Sequence, residues 1–220
     1  MLIKLARLKS GFLIPKNSMA NLAKIEKYLK TKKIKYKVSD LGDEVYKVED
    51  VIKVGVNPDE ILKTLIVRVE SPKESNWQNM RRSFKKVQFI ALVVQGKDRV
   101  DFKRVRRLFG PSTSVRLRSL QALRVKCELA KPEEVKKVAG VQVGAVCPIL
   151  LGIPIYIDKK VFQTFLRSSN KSAGLKRAMG LRHVNMGSGD LTKELEMDFS
   201  DLLDAIREYK VMELASAVDK

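Results

Sequence analysis

Apolar residues recur along the chain in two rhythms, and each rhythm predicts an element. Leu22, Ile25 and Leu29 are three and four residues apart, which predicts an amphipathic helix from Met19 to about Lys33, capped by Asn17 or Ser18. Tyr36 to Val38 reads as a short strand, and Val48 to Val54 as a short helix ended by Gly55. Asn57-Pro58-Asp59-Glu60 has the form of a helix start, with Glu60 closing a capping box, but only one turn precedes the strand Lys63 to Val69. Residues 70–86 are polar and basic and predict a long hairpin connection. Val87 to Val94 (VQFIALVV) is apolar at nearly every position, as a central strand covered on both faces should be.

The rhythm changes again after Gly96. Asp101 to Phe109 predicts a helix with Phe102, Val105, Leu108 and Phe109 inward and Lys103, Arg104, Arg106 and Arg107 in water. Pro132 with Glu133 and Glu134 opens a helix that stops at Gly140, followed by a loop of small residues over 141–148. Ile153 to Ile157 is a strand closed by Asp158, with helical stretches near 159–167 and 172–179. Gly187-Ser188-Gly189 is a tight loop, and Glu194 to Met197 alternates as a strand. Ser200 is placed to cap a last helix, with Asp201 and Asp204 against its dipole. Strands and helices alternate irregularly and without repeats, which favours a mixed α/β domain over a doubly wound one. We assign that domain to 19–210, with 1–18 as an N-terminal extension (an arm, or a start displaced from Met19) and 211–220 as a C-terminal tail.

Charge narrows the function. Lys and Arg number 44 against 25 Asp and Glu, a net +19 with pI about 10.0. The surplus is clustered, at Lys30 to Lys37, Arg81 to Lys86, Lys103 to Arg107 and Arg116 to Lys126. Polyphosphate is its natural partner, because each neutralised phosphate releases a counterion. No apolar run reaches the roughly 18 residues of a membrane span, so no membrane partner is expected. Two cysteines point to a reducing cytoplasm, and with one histidine they leave a zinc site short of ligands. Dinucleotide-binding, Walker A, nucleophile-elbow and zinc-protease motifs are all missing.

Four pieces then stand in order. Asn57 to Leu65 (NPDEILKTL) leads a turn into a strand, and Phe89 to Val94 is followed by Gly96, Val100-Asp101 and the basic helix. Ala130 to Val135 (AKPEEV) leads through Gly140 to Gly144-Ala145-Val146-Cys147-Pro148. Pro154 to Asp158 (PIYID) precedes Gly189 and Glu194-Leu195-Glu196. Over about residues 20–209 this order resembles the YbaK family, the domain also found inserted in bacterial prolyl-tRNA synthetases as an editing module. The resemblance implies a mixed α+β domain around a twisted, largely antiparallel sheet flanked by helices. It implies a trans-editing deacylase that hydrolyses mischarged tRNA, characteristically Cys-tRNA(Pro) or Ala-tRNA(Pro), without metal or cofactor. It places the family's lysine on Lys63 and its substrate loop on Gly144, Ala145, Val146, Cys147 and Pro148. Its aspartate falls on Asp158 and its second small-residue loop on Gly187 to Gly189. Ala145 replaces the loop's second glycine, Cys147 its serine or threonine, and Leu41 stands where some members carry an aromatic residue.

The chemistry is sensible from the residues alone. An aminoacyl ester is already activated and needs positioning plus stabilisation of an oxyanion, which backbone N–H groups of a small-residue loop supply. Lys63 adds a fixed charge on the strand face of Leu65, Val67 and Val69. The tRNA acceptor end would lie on Arg81, Arg82, Lys85, Lys103, Arg104, Arg106 and Arg107, with prolyl-tRNA synthetase as a further partner. Other readings stand beside this one: a Cys147 nucleophile activated by His183, Trp77 stacking on a base, a tRNA- or RNA-binding module without catalysis, or a synthetase-docked partner.

Overall fold

The computed structural model describes residues 21–72, 85–109, 125–166 and 183–215. Helix α1 (Leu22–Lys32) opens on Asn21, whose side-chain oxygen accepts the Lys24 N–H at 3.2 Å. The cap is therefore Asn21, because Asn17 and Ser18 precede the described residues. Ile25 and Leu29 are fully buried from this helix, each contributing about 1.5–3 kcal/mol. After β1 (Lys37–Asp40) and α2 (Val48–Lys53), the helix-start signature makes one turn only. Asn57 accepts the Asp59 N–H through its side chain and the Glu60 N–H through its carbonyl, and strand β2 (Leu62–Pro72) begins at once.

Strand β2 pairs antiparallel with β3 (Lys85–Gln95), from Leu62 opposite Gln95 to Pro72 opposite Lys85. Ile90 to Val94 are buried at every position, as their unbroken apolar run requires. Helix α3 (Phe102–Phe109) follows, with the Asp101 carboxylate accepting the Lys103 N–H at 2.8 Å as its cap. Strand β4 (Lys126–Leu129) precedes α4 (Pro132–Ala139), which begins with Pro132 and a Glu134 carboxylate accepting the Lys131 N–H. It stops at Gly140 in the left-handed region, φ 76°. The remaining elements are β5 (Ile155–Asp158), α5 (Lys159–Leu166), β6 (His183–Gly187), β7 (Lys193–Asp198), α6 (Phe199–Ile206) and β8 (Lys210–Met212). Helix α6 starts on Asp198, so Ser200 lies inside its first turn and is not the cap.

The protein is a mixed α/β fold, and its strands divide into two sheets. The larger has the order β4-β2-β3-β5-β8, antiparallel from β4 to β3 and parallel from β3 through β5 to β8. The smaller, β1-β7-β6, is antiparallel throughout. The two meet where Ile61 bridges Asn185 in parallel. Alternation along β2 supplies two cores. Leu62 and Ile66 face one side, with α1, α4, α5, α6 and the smaller sheet, while Val67 and Val69 face the other, with Val105 of α3. The boundary expected at 210 falls inside the fold, because β8 pairs with β5 and both Leu214 and Ala215 are buried. The 1–18 extension, Trp77 and the helix expected over 172–179 lie outside the described residues.

Candidate active site

Where the two sheets meet there is a cavity of about 340 Å³, within the size range of small-molecule sites. Strand β2 contributes Lys63 and Thr64, the 141–148 loop contributes Gly144 and Val146, and the end of β6 contributes Gly187. Leu41 and Tyr46 come from the segment before α2, and Glu194 from β7. Lys63 and the small-residue turn, far apart in sequence, thus share one cavity.

Lys63 is half-buried, and its ammonium donates to the Gly96 carbonyl at 2.8 Å. Burial pushes its pKa below the ordinary lysine value, while Asp98 and Glu49 pull it back up and Arg99 adds to the lowering. One N–H is spent on Gly96, and an ammonium has three. Next to it, the Thr64 hydroxyl is buried with no hydrogen-bond partner among the described residues, although Thr64 lines the cavity.

Two glycines explain how the loops interlock. Gly144 has φ +99°, and a Cβ there would stand 3.0 Å from the Tyr46 Cα. At Gly187 a Cβ would lie 2.8 Å from the Ala145 carbonyl carbon and 2.9 Å from the Val146 oxygen. Backbone touches backbone here, and only glycine permits it. Gly189 then donates its N–H to the Ala145 carbonyl at 2.8 Å. Ser188 is fully buried and donates to the Lys193 carbonyl at 2.7 Å, while the Asp190 carboxylate accepts the Thr192 N–H, which holds its pKa low. Of the turn's own donors, the Ala145 N–H is used by the Gln142 carbonyl at 3.2 Å. No hydrogen bond among the described residues claims the N–H groups of Gly144 or Val146, both of which line the cavity.

The other residues expected at the site are placed elsewhere. Ala145 and Cys147 turn their side chains into the first core, and Pro148 is buried. Cys147 is 1% exposed and burial pushes its thiol up to about 12, while His183 is exposed at the start of β6, 3.3 Å from Asp198. The Cys147–His183 pair is therefore not a nucleophilic dyad, since a buried thiol in an apolar site stays protonated. Asp158 is also no part of the cavity. It is 1% exposed, and its carboxylate accepts the N–H groups of Lys160, Leu214 and Ala215, each at 2.7 Å. That is a clamp between β5 and the C-terminal segment.

Among the basic residues, Lys103, Arg106 and Arg107 are exposed on α3. Arg104 is half-buried and paired to Asp101 at 3.5 Å and Glu213 at 3.7 Å, so its charge is largely answered within the protein. Lys85 is the first residue of β3, and Arg81 and Arg82 lie outside the described residues. Thr64 lies inside the NPDEILKTL motif and Glu194 inside the Glu194-Leu195-Glu196 motif, but neither position is assigned to the site by the sequence. A Thr beside Lys63 carries no signal of its own, and strand alternation does not mark Glu194. Among the described residues no group of three or more His, Cys, Asp and Glu is placed to hold a metal ion, and no helix is long and apolar enough to cross a membrane.

These features define the class. The family model for the aminoacyl-tRNA editing domain matches residues 43–168, more than half of the chain, and the chain belongs to that family. Solved structures share the fold. One, the hypothetical protein APE2540, is 21% identical with a TM-score of 0.57, over 88% of this chain and 99% of its own. Another, described as a candidate trans-editing enzyme for prolyl tRNA synthetase, is 19% identical with a TM-score of 0.57, over 89% of this chain and 97% of its own. A candidate signal-transduction protein of Marinobacter aquaeolei is 13% identical with a TM-score of 0.50, matched over 30% of its length.

Proposed function

We propose that the protein is a trans-editing deacylase that hydrolyses the ester joining a small, wrongly attached amino acid to tRNA, with Cys-tRNA(Pro) or Ala-tRNA(Pro) as substrate. The observation that carries this reading is the single cavity shared by Lys63, Gly144, Val146 and Gly187. A water attacks the ester carbonyl, and the Gly144 and Val146 N–H groups face the oxyanion that forms. The C–O bond to the ribose then breaks, the ribose oxygen takes one proton of the attacking water, the other passes to solvent, and the amino acid leaves as its carboxylate. Such preorganised donors contribute about 10²–10³-fold each in known cases. The Lys63 ammonium answers the terminal phosphate or the developing charge, and no metal is required by this chemistry. The apolar walls, Leu41 and Val146 among them, leave room for a small side chain and discriminate one methylene only about 10–200-fold.

The tRNA acceptor stem lies along Lys103, Arg106 and Arg107 in this reading, and prolyl-tRNA synthetase is the partner that supplies the mischarged tRNA. The cytoplasm is the proposed location, consistent with Cys127 and Cys147 both being free. A deacylation panel with Cys-, Ala- and Ser-charged tRNA(Pro), run with and without a chelator, tests the proposal. At least one ester is hydrolysed at a rate the chelator leaves unchanged. Lys63→Ala lowers that rate about 100-fold while tRNA affinity stays within about twofold. If wild type leaves all three esters intact, the proposal fails.

A further inference from the structure

The cavity wall contains a charge that the reaction above does not use. Glu194 is 4% exposed, lines the cavity, and receives no hydrogen bond or ion pair among the described residues. Its neighbours explain the isolation. It stands in β7, the central strand of the smaller sheet, opposite Gly187 on β6 and Ser39 on β1. Gly187 has no side chain to cover it. The charge that acts on it is Glu196 of its own strand, which is paired with Lys37. Further along the same sheet, Asp40 ends β1, and His183 and Asp198 pair with each other. Lys47, Glu49, Lys63, Asp190 and Lys193 also border the cavity, and none of them is among the groups that shift Glu194. The carboxylate has no partner among the described residues and opens on the cavity, so a cation that enters the cavity can pair with it in a half-desolvated setting.

We infer that Glu194 is the specificity residue that holds the α-ammonium of the aminoacyl group. The inference rests on the deacylase reading and adds to it the recognition of the amino acid's charged end. Gly187 is the link. Its backbone touches Ala145 and Val146, whose turn faces the ester carbonyl, and across the ladder it stands beside Glu194. Directly opposed strand residues are about 4.5–5.5 Å apart at Cα. The α-nitrogen of an aminoacyl ester lies one carbon from its carbonyl, so one small substrate spans both elements. The Glu194 carboxyl, raised to about 7 by burial and then by Glu196, gives any bound proton to solvent as the ammonium pairs with its carboxylate.

The test compares alanyl-tRNA(Pro) with lactyl-tRNA(Pro), which differs only in a hydroxyl where the ammonium stands. Wild type and Glu194→Gln hydrolyse both, and the ratio of ratios cancels intrinsic ester reactivity. The variant loses about 30-fold in kcat/KM on the alanyl ester, through KM, and less than about threefold on the lactyl ester. Equal losses on both esters, or none, overturn the inference and leave the deacylase reading standing. Hydrolysis of neither ester by wild type sinks both. A second arm needs no variant. In wild type, KM for the alanyl ester rises as pH falls below about 7, and KM for the lactyl ester stays flat. Parallel or flat profiles overturn the inference.

Discussion

Asp158 and Glu194 are both carboxylates buried in strands, 1% and 4% exposed, and they do opposite things. Asp158 accepts three backbone N–H groups at 2.7 Å and so fastens the Leu214–Ala215 segment to β5. Glu194 accepts nothing among the described residues and borders a cavity. A satisfied buried charge holds the fold together. One without a partner that borders a cavity is open to a ligand of opposite charge. Counting partners therefore separates structure from function where residue type and burial do not.

The largest effect that tests this contrast is Asp158→Asn. The amide keeps the shape but turns an NH₂ toward N–H groups that need an acceptor, and it removes the charge from these bonds. We expect a loss of about 3 kcal/mol or more in urea unfolding, with residual deacylase activity per folded molecule unchanged. A loss under about 1 kcal/mol would remove Asp158 from its structural role and reopen its place in the chemistry.

Gly187→Ala sharpens the other side of the comparison. The added methyl meets the Ala145–Val146 backbone at 2.8–2.9 Å, so the turn rather than a flexible side chain must move. We expect a cost of about 1–3 kcal/mol, accompanied by a fall in kcat that exceeds what unfolding explains. Full activity in a folded variant would mean that the Gly144–Val146 donors have no geometric role.

Glu194 also leaves a mark on stability. Its folded pKa, about 7, lies above its ordinary value of 4.5, so the native state binds the proton more tightly than the unfolded chain. Its contribution is most favourable below pH 4.5 and is lost as pH rises through about 7. Over that window wild type falls relative to Glu194→Gln by at most about 1.4 kcal/mol per pH unit. The difference between their melting profiles vanishes near pH 4 and is widest above pH 7. A difference that does not change with pH means the carboxyl is solvated and no special acceptor.

The sequence pattern made much of this frame legible and hid the rest for definite reasons. The continuous apolar run, the Pro132–Gly140 bracket and the amphipathic 102–109 helix are local signals; the run is buried on both faces only from Ile90 to Val94, with Val87 exposed at its outer end. Strands β4 and β8 are short and mostly exposed, so they carry no alternation to read. The parallel pairing of β3 with β5 and β5 with β8 depends on chain crossings that no window contains. The ordered motifs reach Lys63, Gly144, Val146 and Gly187, which line one cavity. They also drew in Asp158 and Cys147, because a motif does not say which way a side chain points. The partners of Asp158 lie 56 and 57 residues downstream, beyond any local pattern. Glu194 stands in the sequence only as part of an alternating strand, and alternation does not show that its face lines a cavity where the two sheets meet.

The rule that distinguishes Asp158 from Glu194 extends to the cations of α3, with the smallest expected effect. Arg104 is answered by Asp101 and Glu213, whereas Arg106 and Arg107 have no carboxylate partner among the described residues. All four basic positions of this helix look alike in sequence, yet only the unanswered ones release counterions when a phosphate arrives. Arg106→Ala or Arg107→Ala should each reduce the slope of log affinity against log salt for tRNA by about 1 and weaken binding alike for every tRNA. Arg104→Ala should leave that slope within error and act instead on stability, by less than about 1 kcal/mol, since its ion pairs are partly exposed. Equal slopes for all three variants would mean that α3 faces away from the nucleic acid. Helix α3 packs on the second core, across the larger sheet from Leu62 and Ile66, so the test asks whether that side of the sheet contacts the nucleic acid at all.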